Sequence, residues 1–172
     1  MSSPVTRDPR IRSITSEDPE AMAEAARLFA EYAEWLAPFV LHTTIAAELA
    51  SFPAPFTPPG GVLLVGADAG GAICGCVGVK RHDDSTAEIK RLFVREGCRS
   101  TGLGAALFSA ALDAACDLGY AEVVISTIPS HMARANAMYE RIGFTPTHRF
   151  EEHTHAEVDI RYLRLDLGDW CA

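Results

Sequence analysis

Apolar positions recur along this chain in two rhythms, and the switch between them predicts its elements. Ile11 and Ile14 lie in a short extended stretch. Asp18-Pro19 then opens a helix, because Asp18 can cap free amides and Pro19 at the first helical position loses nothing by lacking an N–H. Met22, Ala26, Phe29, Ala33 and Leu36 follow at steps of three to four and form one apolar face, which ends before Pro38. A shorter helix is expected over 44–51, and the proline-rich stretch 52–61 is expected to be a loop. The compact apolar runs 62–65 and 72–79 are too short for helices, and Asp68-Ala69-Gly70-Gly71 between them predicts a hairpin. In 86–94, Ile89, Leu92 and Val94 alternate with charges as a third strand of this group. Gly102 and Gly104 lead into a helix that ends near Leu118 at Gly119, with Ser109, Asp113 and Asp117 on one narrow polar stripe. A strand over 122–126, a helix preceded by Pro129-Ser130 and running to about Arg141, and strands from Phe144 and over 158–165 complete the order β-α-α-β-β-β-α-β-α-β-β. The pattern predicts one α/β (α+β) domain over 1–172, with a flexible leader over 1–9.

Composition adds exclusions. Of 172 residues, 48% are apolar and 22% charged, enough for one ordinary core. The formal net charge of −8 gives no global basic field, so nucleic acid is not expected as a partner. Cys74, Cys76, Cys98, Cys116 and Cys171 are odd in number and show no C-x-x-C spacing, so neither a disulfide framework nor a four-thiolate zinc site is expected. That fits a reducing, cytoplasmic setting. The longest apolar run, 103–108, is far short of a membrane span, and the first residues lack an apolar leader core, so no membrane partner is expected.

The chemistry concentrates in 88–144. There an apolar strand ends at Val94, and Gly102 and Gly104 lead straight into a buried helix, which exposes consecutive N–H groups at the positive end of a helix dipole. That favours an anion. A P-loop lysine is absent, and Leu107 stands where a dinucleotide fingerprint needs its third glycine. Taken alone, a glycine turn before a helix is common to many α/β domains.

Three elements in order carry a resemblance: the strand Glu88-Ile-Lys-Arg-Leu-Phe-Val94, the turn Arg99-x-x-Gly102-x-Gly104-Ala105, and Ala-Met-Tyr139-Glu-Arg-Ile-Gly143-Phe144. Together they resemble the GCN5-related N-acetyltransferase superfamily. The resemblance implies a single-domain fold with a mixed central sheet of about six to seven strands and about four helices. It also implies acetyl-CoA as co-substrate, no metal, and direct transfer of acetyl to an amine. Leu92, Phe93 and Val94 would pair with the pantetheine arm as an added strand, and Arg99, Ser100, Thr101, Gly102, Leu103, Gly104 and Ala105 would hold the pyrophosphate. Over 80–99 six cations face four carboxylates, the one positive part of an acidic chain, although a solvated strand face explains several of them equally well. Tyr139 falls where the family places the general acid for the leaving thiolate, the alternative being an aromatic that closes the core. Glu88 matches the strand glutamate that is the general base in some members. The family often has Asn seven residues before the tyrosine, hydrogen bonding the cofactor. That position is Met132, and Asn136 is the candidate stand-in, with a surface-exposed Asn as the other reading.

Two further chemistries stay open at this point: a covalent acetyl-cysteine at Cys98, and a metal on His148, His153 and His155, against a thiol without an activating base and a solvated loop. For the acceptor, the resemblance points to the segments carrying Tyr32, Trp35, Phe39 and His42, with Glu31, Glu34, Glu48, Glu151, Glu152 and Glu157 nearby. Aromatics beside carboxylates suit a protonated amine. The expected acceptor is a small-molecule or amino-acid-like amine. A protein N-terminus or lysine, or a non-catalytic acetyl-CoA sensor, are the alternatives. A homodimer is compatible with the sequence, though no motif encodes one.

Overall fold

The computed structural model describes residues 8–39, 42–150 and 159–172, with the side chains of 42–45 outside that set. Seven strands form one mixed sheet: β1 (Ile11–Ile14), β2 (Val62–Ala67), β3 (Ile73–Arg81), β4 (Thr86–Val94), β5 (Glu122–Thr127), β6 (Thr145–Pro146) and β7 (Arg161–Asp166). Their order is β1-β2-β3-β4-β5-β7-β6. Every neighbouring pair is antiparallel except β4–β5, which is parallel and is bridged by the helix α3 (Leu103–Asp117). The other helices are α1 (Pro19–Leu36), α2 (His42–Ser51) and α4 (Ala133–Ile142). The mixed α/β architecture and its element order therefore match the expectation from the sequence.

The two faces of the sheet bury separate cores. On one, Leu28, Phe29 and Phe56 pack on Leu63, Val65 and Cys76. On the other, Leu103, Leu107, Phe108 and Leu112 of α3 pack on Val77, Val79, Val123 and Ile125. Strand alternation explains the division, since Val77 and Val79 pack with α3 while Cys76 before them packs with α1 and Gly78 between them lies against the Phe56 ring. Asp18 caps α1 as expected, its Oδ1 accepting from the amide of Ala21 at 3.0 Å.

The sequence reading needs correction at three places. First, α1 buries Ala21, Ala25, Leu28, Phe29 and Leu36, so its inward face is rotated from the Met22-Ala26-Ala33 row, which is half-buried. The alanines on both rows make either face acceptable by pattern, and Leu28 decides it. Second, β7 is recorded from Arg161 rather than from 158, and Val158 lies outside the described residues. Third, Cys116 and Cys171 form a disulfide, with Cα atoms 5.7 Å apart. The turn after β7 folds back on α3, where Trp170 Nε1 donates to Asp113 Oδ1 at 3.0 Å. A pair 55 residues apart has no spacing signature, which is why cysteine counting missed it.

Candidate active site

The one parallel pair does not stay paired. β4 and β5 are in register only at Thr86–Glu88 against Glu122–Val124. Beyond that the strands part, and β4 carries one extra residue against β3, with Arg91 at φ +61°. A bulge of this kind bends a strand and turns its end. Between the splayed ends lies a cleft of about 630 Å³, with Ile89–Val94 on one wall and Ile125–Ile128, Met138 and Tyr139 on the other.

At one end of the cleft sits the glycine turn. Gly102 is the N-cap of α3 at φ +80°, Ser100 is also left-handed at φ +65°, and no side chain caps the helix. Its first-turn amides are thus not claimed by a cap. Leu92, Phe93, Val94, Arg99, Ser100, Gly102, Gly104 and Ala105 all line the cleft. Thr101 and Leu103 do not: the Thr101 hydroxyl donates to the Cys98 carbonyl at 2.7 Å, and Leu103 is core. Arg99 Nε donates to the Val94 carbonyl at 2.8 Å and fixes the turn to the strand end. Arg134 also lines this end, donating to Ser100 Oγ at 3.2 Å. It is a cation the sequence reading missed, because it lies 34 residues from the turn.

The local positive excess over 80–99 is largely engaged within the fold. Arg95 is clamped by Glu24 at 2.6 Å and Glu31 at 2.7 Å, Arg81 pairs with Asp84, and Arg91 pairs with Glu48 of α2. Glu88, 2% exposed, lies between Lys90 (3.3 Å) and Lys80 (3.8 Å) and is not among the residues lining the cleft.

Tyr139 is 7% exposed and does line the cleft. Burial, and then the neighbouring Tyr32, push its phenol above the ordinary tyrosine range. Tyr32 comes from α1 on the other side. Its own phenol is raised by burial, against the opposing pull of Arg91 and Lys90. The fold thus brings together two phenols from residues 32 and 139. Asn136 corrects the surface reading: it is 7% exposed, and its Nδ2 donates to Thr127 Oγ1 at 2.9 Å and to the Met132 carbonyl at 2.8 Å. It stands behind the wall, not in its lining. Cys98 is half-buried, away from the lining, beside Cys74, whose thiol burial and Cys98 push up to about 12.

At the far end Tyr32, Trp35, Leu36, Ile128, His131, Met132 and Ile160 line the cleft, and Phe39 stands behind, 5.8 Å from Trp35 and 3.8 Å from His131 by ring centroids. The carboxylates expected beside these aromatics are engaged or outside the cleft: Glu48 lies close to Tyr32 but pairs with Arg91, Glu31 holds Arg95, and Glu34 is exposed. Among the described residues no carboxylate lines the cleft, whereas Lys90, Arg91, Arg99, Arg134 and Arg141 do. The His42 side chain, His153, His155, Glu151, Glu152 and Glu157 lie outside the described residues. Among those described, no group of three metal-ligating side chains occurs, and no helix is long and apolar enough to cross a membrane.

Residues 20–144 match the model of the Acetyltransferase (GNAT) family, and the chain belongs to that family. It is 28% identical over 152 residues to an uncharacterized N-acetyltransferase of Schizosaccharomyces pombe, covering 87% of this chain and 91% of that one. It is also 31% identical over 115 residues to the N-acetylaspartate synthetase of Danio rerio, covering 66% of this chain and 39% of the relative. An acetyltransferase structure from Salmonella typhimurium, solved with acetyl-CoA, superposes with a TM-score of 0.68 at 21% identity, covering 91% of this chain and 92% of the other. The protein is thus an N-acetyltransferase of the acetyl-CoA-using kind.

Proposed function

We propose that the protein transfers acetyl from acetyl-CoA to the amine of a small-molecule or amino-acid-like acceptor, by direct attack with both substrates bound. The observation that carries this reading is the splay of β4 from β5, which leaves Leu92–Val94 facing Tyr139 across the cleft. An unpaired strand edge can take a pantetheine arm as an added strand, and the uncapped N-terminus of α3 with Arg99 and Arg134 suits the diphosphate. Acetyl-CoA supplies an activated thioester. The amine nitrogen bonds to its carbonyl carbon, the carbon–sulfur bond breaks, and the thiolate needs a proton.

Tyr139 supplies that proton. Its raised pKa keeps the phenol protonated at neutral pH, the state a general acid must start from. The amine's own proton leaves by water toward Glu88, the strand carboxylate below the bulge. The name of the Danio rerio relative supports an amino-acid acceptor. The 630 Å³ cleft suits a small molecule better than a protein chain, since much of that volume is needed by the donor arm.

The test is release of free CoA thiol over a panel of amines, amino acids, polyamines and peptides. Acceptor-dependent release above the hydrolysis background is expected. Tight acetyl-CoA binding without release over the whole panel would replace this reading with that of a sensor.

A further inference from the structure

Thr127 is the last residue of β5, 2% exposed, and it lines the cleft. Val123 and Ile125 earlier in the strand pack in the α3 core, so alternation puts the Thr127 side chain on the same face of the sheet as Tyr139. Counted along the parallel pair from Glu88 and Val124, Thr127 stands level with the bulge of β4 that precedes the Leu92–Val94 strip. Its hydroxyl oxygen already accepts a hydrogen bond. Asn136 Nδ2 donates to it at 2.9 Å and to the Met132 carbonyl at 2.8 Å, and because a carbonyl can only accept, the second contact settles which way round the amide lies. The Thr127 proton therefore points elsewhere. Among the described residues its acceptor is the Met132 thioether at 3.5 Å, and a thioether accepts weakly. Asn136 Oδ1 is buried with no hydrogen-bond partner among the described residues, yet turning the amide over would set oxygen against the Met132 carbonyl. Two groups of this cluster thus lack a strong partner: Asn136 Oδ1, behind the wall, and the Thr127 proton, on the cleft.

We propose that Thr127 is a further catalytic residue, whose hydroxyl donates to the carbonyl oxygen of the bound acyl thioester, and that Asn136 is the positioning residue that aims it. This rests on the transferase reading above, in which the thioester lies between the Leu92–Val94 strip and Tyr139. Asn136 and Tyr139 are both buried and three residues apart on one face of α4, so the hydroxyl held by Asn136 and the phenol that meets the sulfur serve neighbouring atoms of one group. As the amine nitrogen bonds to the carbonyl carbon, an electron pair moves onto the oxygen, and the charge there strengthens the hydrogen bond from Thr127. The pair returns as the carbon–sulfur bond breaks. Sulfur takes the Tyr139 proton, nitrogen loses one proton to water, and Thr127 keeps its own throughout.

The experiment compares acetyl-CoA with S-ethyl-CoA, which has a methylene where the thioester has its carbonyl, and measures both dissociation constants by calorimetry. Wild type is expected to bind acetyl-CoA more tightly. In Thr127→Val the ratio of the two constants is expected to fall about 5-fold, the scale of one neutral hydrogen bond, and in Thr127→Ser it recovers. Because the ratio is taken within one protein, a loosened fold does not imitate the effect. Thr127→Val combined with Asn136→Leu removes both partners of the buried pair and is expected to show the same fall. With the best acceptor of the amine panel, Thr127→Val is expected to lower kcat about 10-fold, since the contact strengthens as charge develops, and Thr127→Ser to restore it. A wild-type ratio near one, a ratio that Thr127→Val leaves in place, or an unchanged kcat in that variant overturns the inference while the transferase reading stands. Failure of the wild type to bind acetyl-CoA overturns both.

Discussion

The two ends of the cleft are built by different means. The end proposed for the donor is built from backbone: the Leu92–Val94 strip, a glycine N-cap at φ +80° and the first turn of α3. The end proposed for the acceptor is built from side chains on α1, on β4 and on the segment between β5 and α4. Backbone recognition needs contiguous residues with particular conformational freedom, so it leaves a short readable string such as Arg99-x-x-Gly102-x-Gly104. Side-chain recognition draws on residues about a hundred positions apart, and no string records it.

The largest expected effect falls where the two ends meet. Tyr139→Phe is expected to lower kcat by about 100-fold with the acetyl-CoA Kd changed less than about 3-fold, as for loss of one general acid. Thiol release and calorimetry with acetyl-CoA measure the two quantities. Wild-type rates in this variant sink the general-acid assignment. Because the folded phenol titrates above its unfolded value, Tyr139 stays protonated through neutral pH and takes stability away only as pH rises past the ordinary tyrosine range near 10. A thermal-denaturation series should show this loss above about pH 10, reduced in Tyr139→Phe.

Next in size is the donor end. A Cβ added at Gly104 makes ordinary contact with Val94 Cγ2 at 3.8 Å, and the position has no positive φ, so the fold accepts a side chain there. Gly104→Val is therefore expected to raise the acetyl-CoA Kd about 10-fold with little change in Tm, since its branches crowd the turn. Gly102→Ala differs in kind: its left-handed backbone costs about 1 kcal/mol of stability, and weaker donor binding accompanies it. Equal effects of the two variants on Tm would break the distinction.

The acceptor end is expected to respond more weakly. Trp35 is 37% exposed and stacks on Tyr32 at 6.0 Å, so Trp35→Ala should raise the acceptor KM a few-fold and leave acetyl-CoA binding in place. A matching loss of acetyl-CoA affinity would show that the wall serves the donor instead.

This contrast also explains what was legible. Of the eleven proposed donor residues, eight line the cleft, because the motif dictates their backbone and β4 was read to the residue. Of the three that do not, Thr101 and Leu103 were included by contiguity, yet a helix start alternates faces and turns Leu103 into the core, and Asn136 stands behind the wall. At the other end Tyr32 and Trp35 line the cleft as the sequence suggested, whereas the pairing of Arg91 with Glu48 and of Arg95 with Glu31 was not legible. Those pairings cancel the negative charge expected from counting Glu31 and Glu48 near the aromatics. Asn136 failed for a related reason: helical spacing put it one turn from Tyr139, but its burial depends on Thr127 of β5, a partner no local pattern supplies.

The smallest expected effect on activity comes from the far end of α3, and it tests whether the donor end depends on the helix as a whole. The first turn of α3 opens on the cleft, while its last turn is tied by Cys116–Cys171 and, one turn earlier, by the Asp113–Trp170 hydrogen bond. A cross-link between residues 55 apart removes chain entropy from the unfolded state, on the scale of 2–4 kcal/mol. Cys116→Ser is thus expected to lower Tm by several degrees, with kcat/KM at 25 °C within about 2-fold of wild type, and dithiothreitol should do the same to wild type alone. A fall in acetyl-CoA affinity would mean that the disulfide positions the helix for the diphosphate. Packing argues otherwise: Leu103, Leu107, Phe108 and Leu112, all buried, hold α3 to the sheet along its length, so the amides at its start keep their place when its end is released.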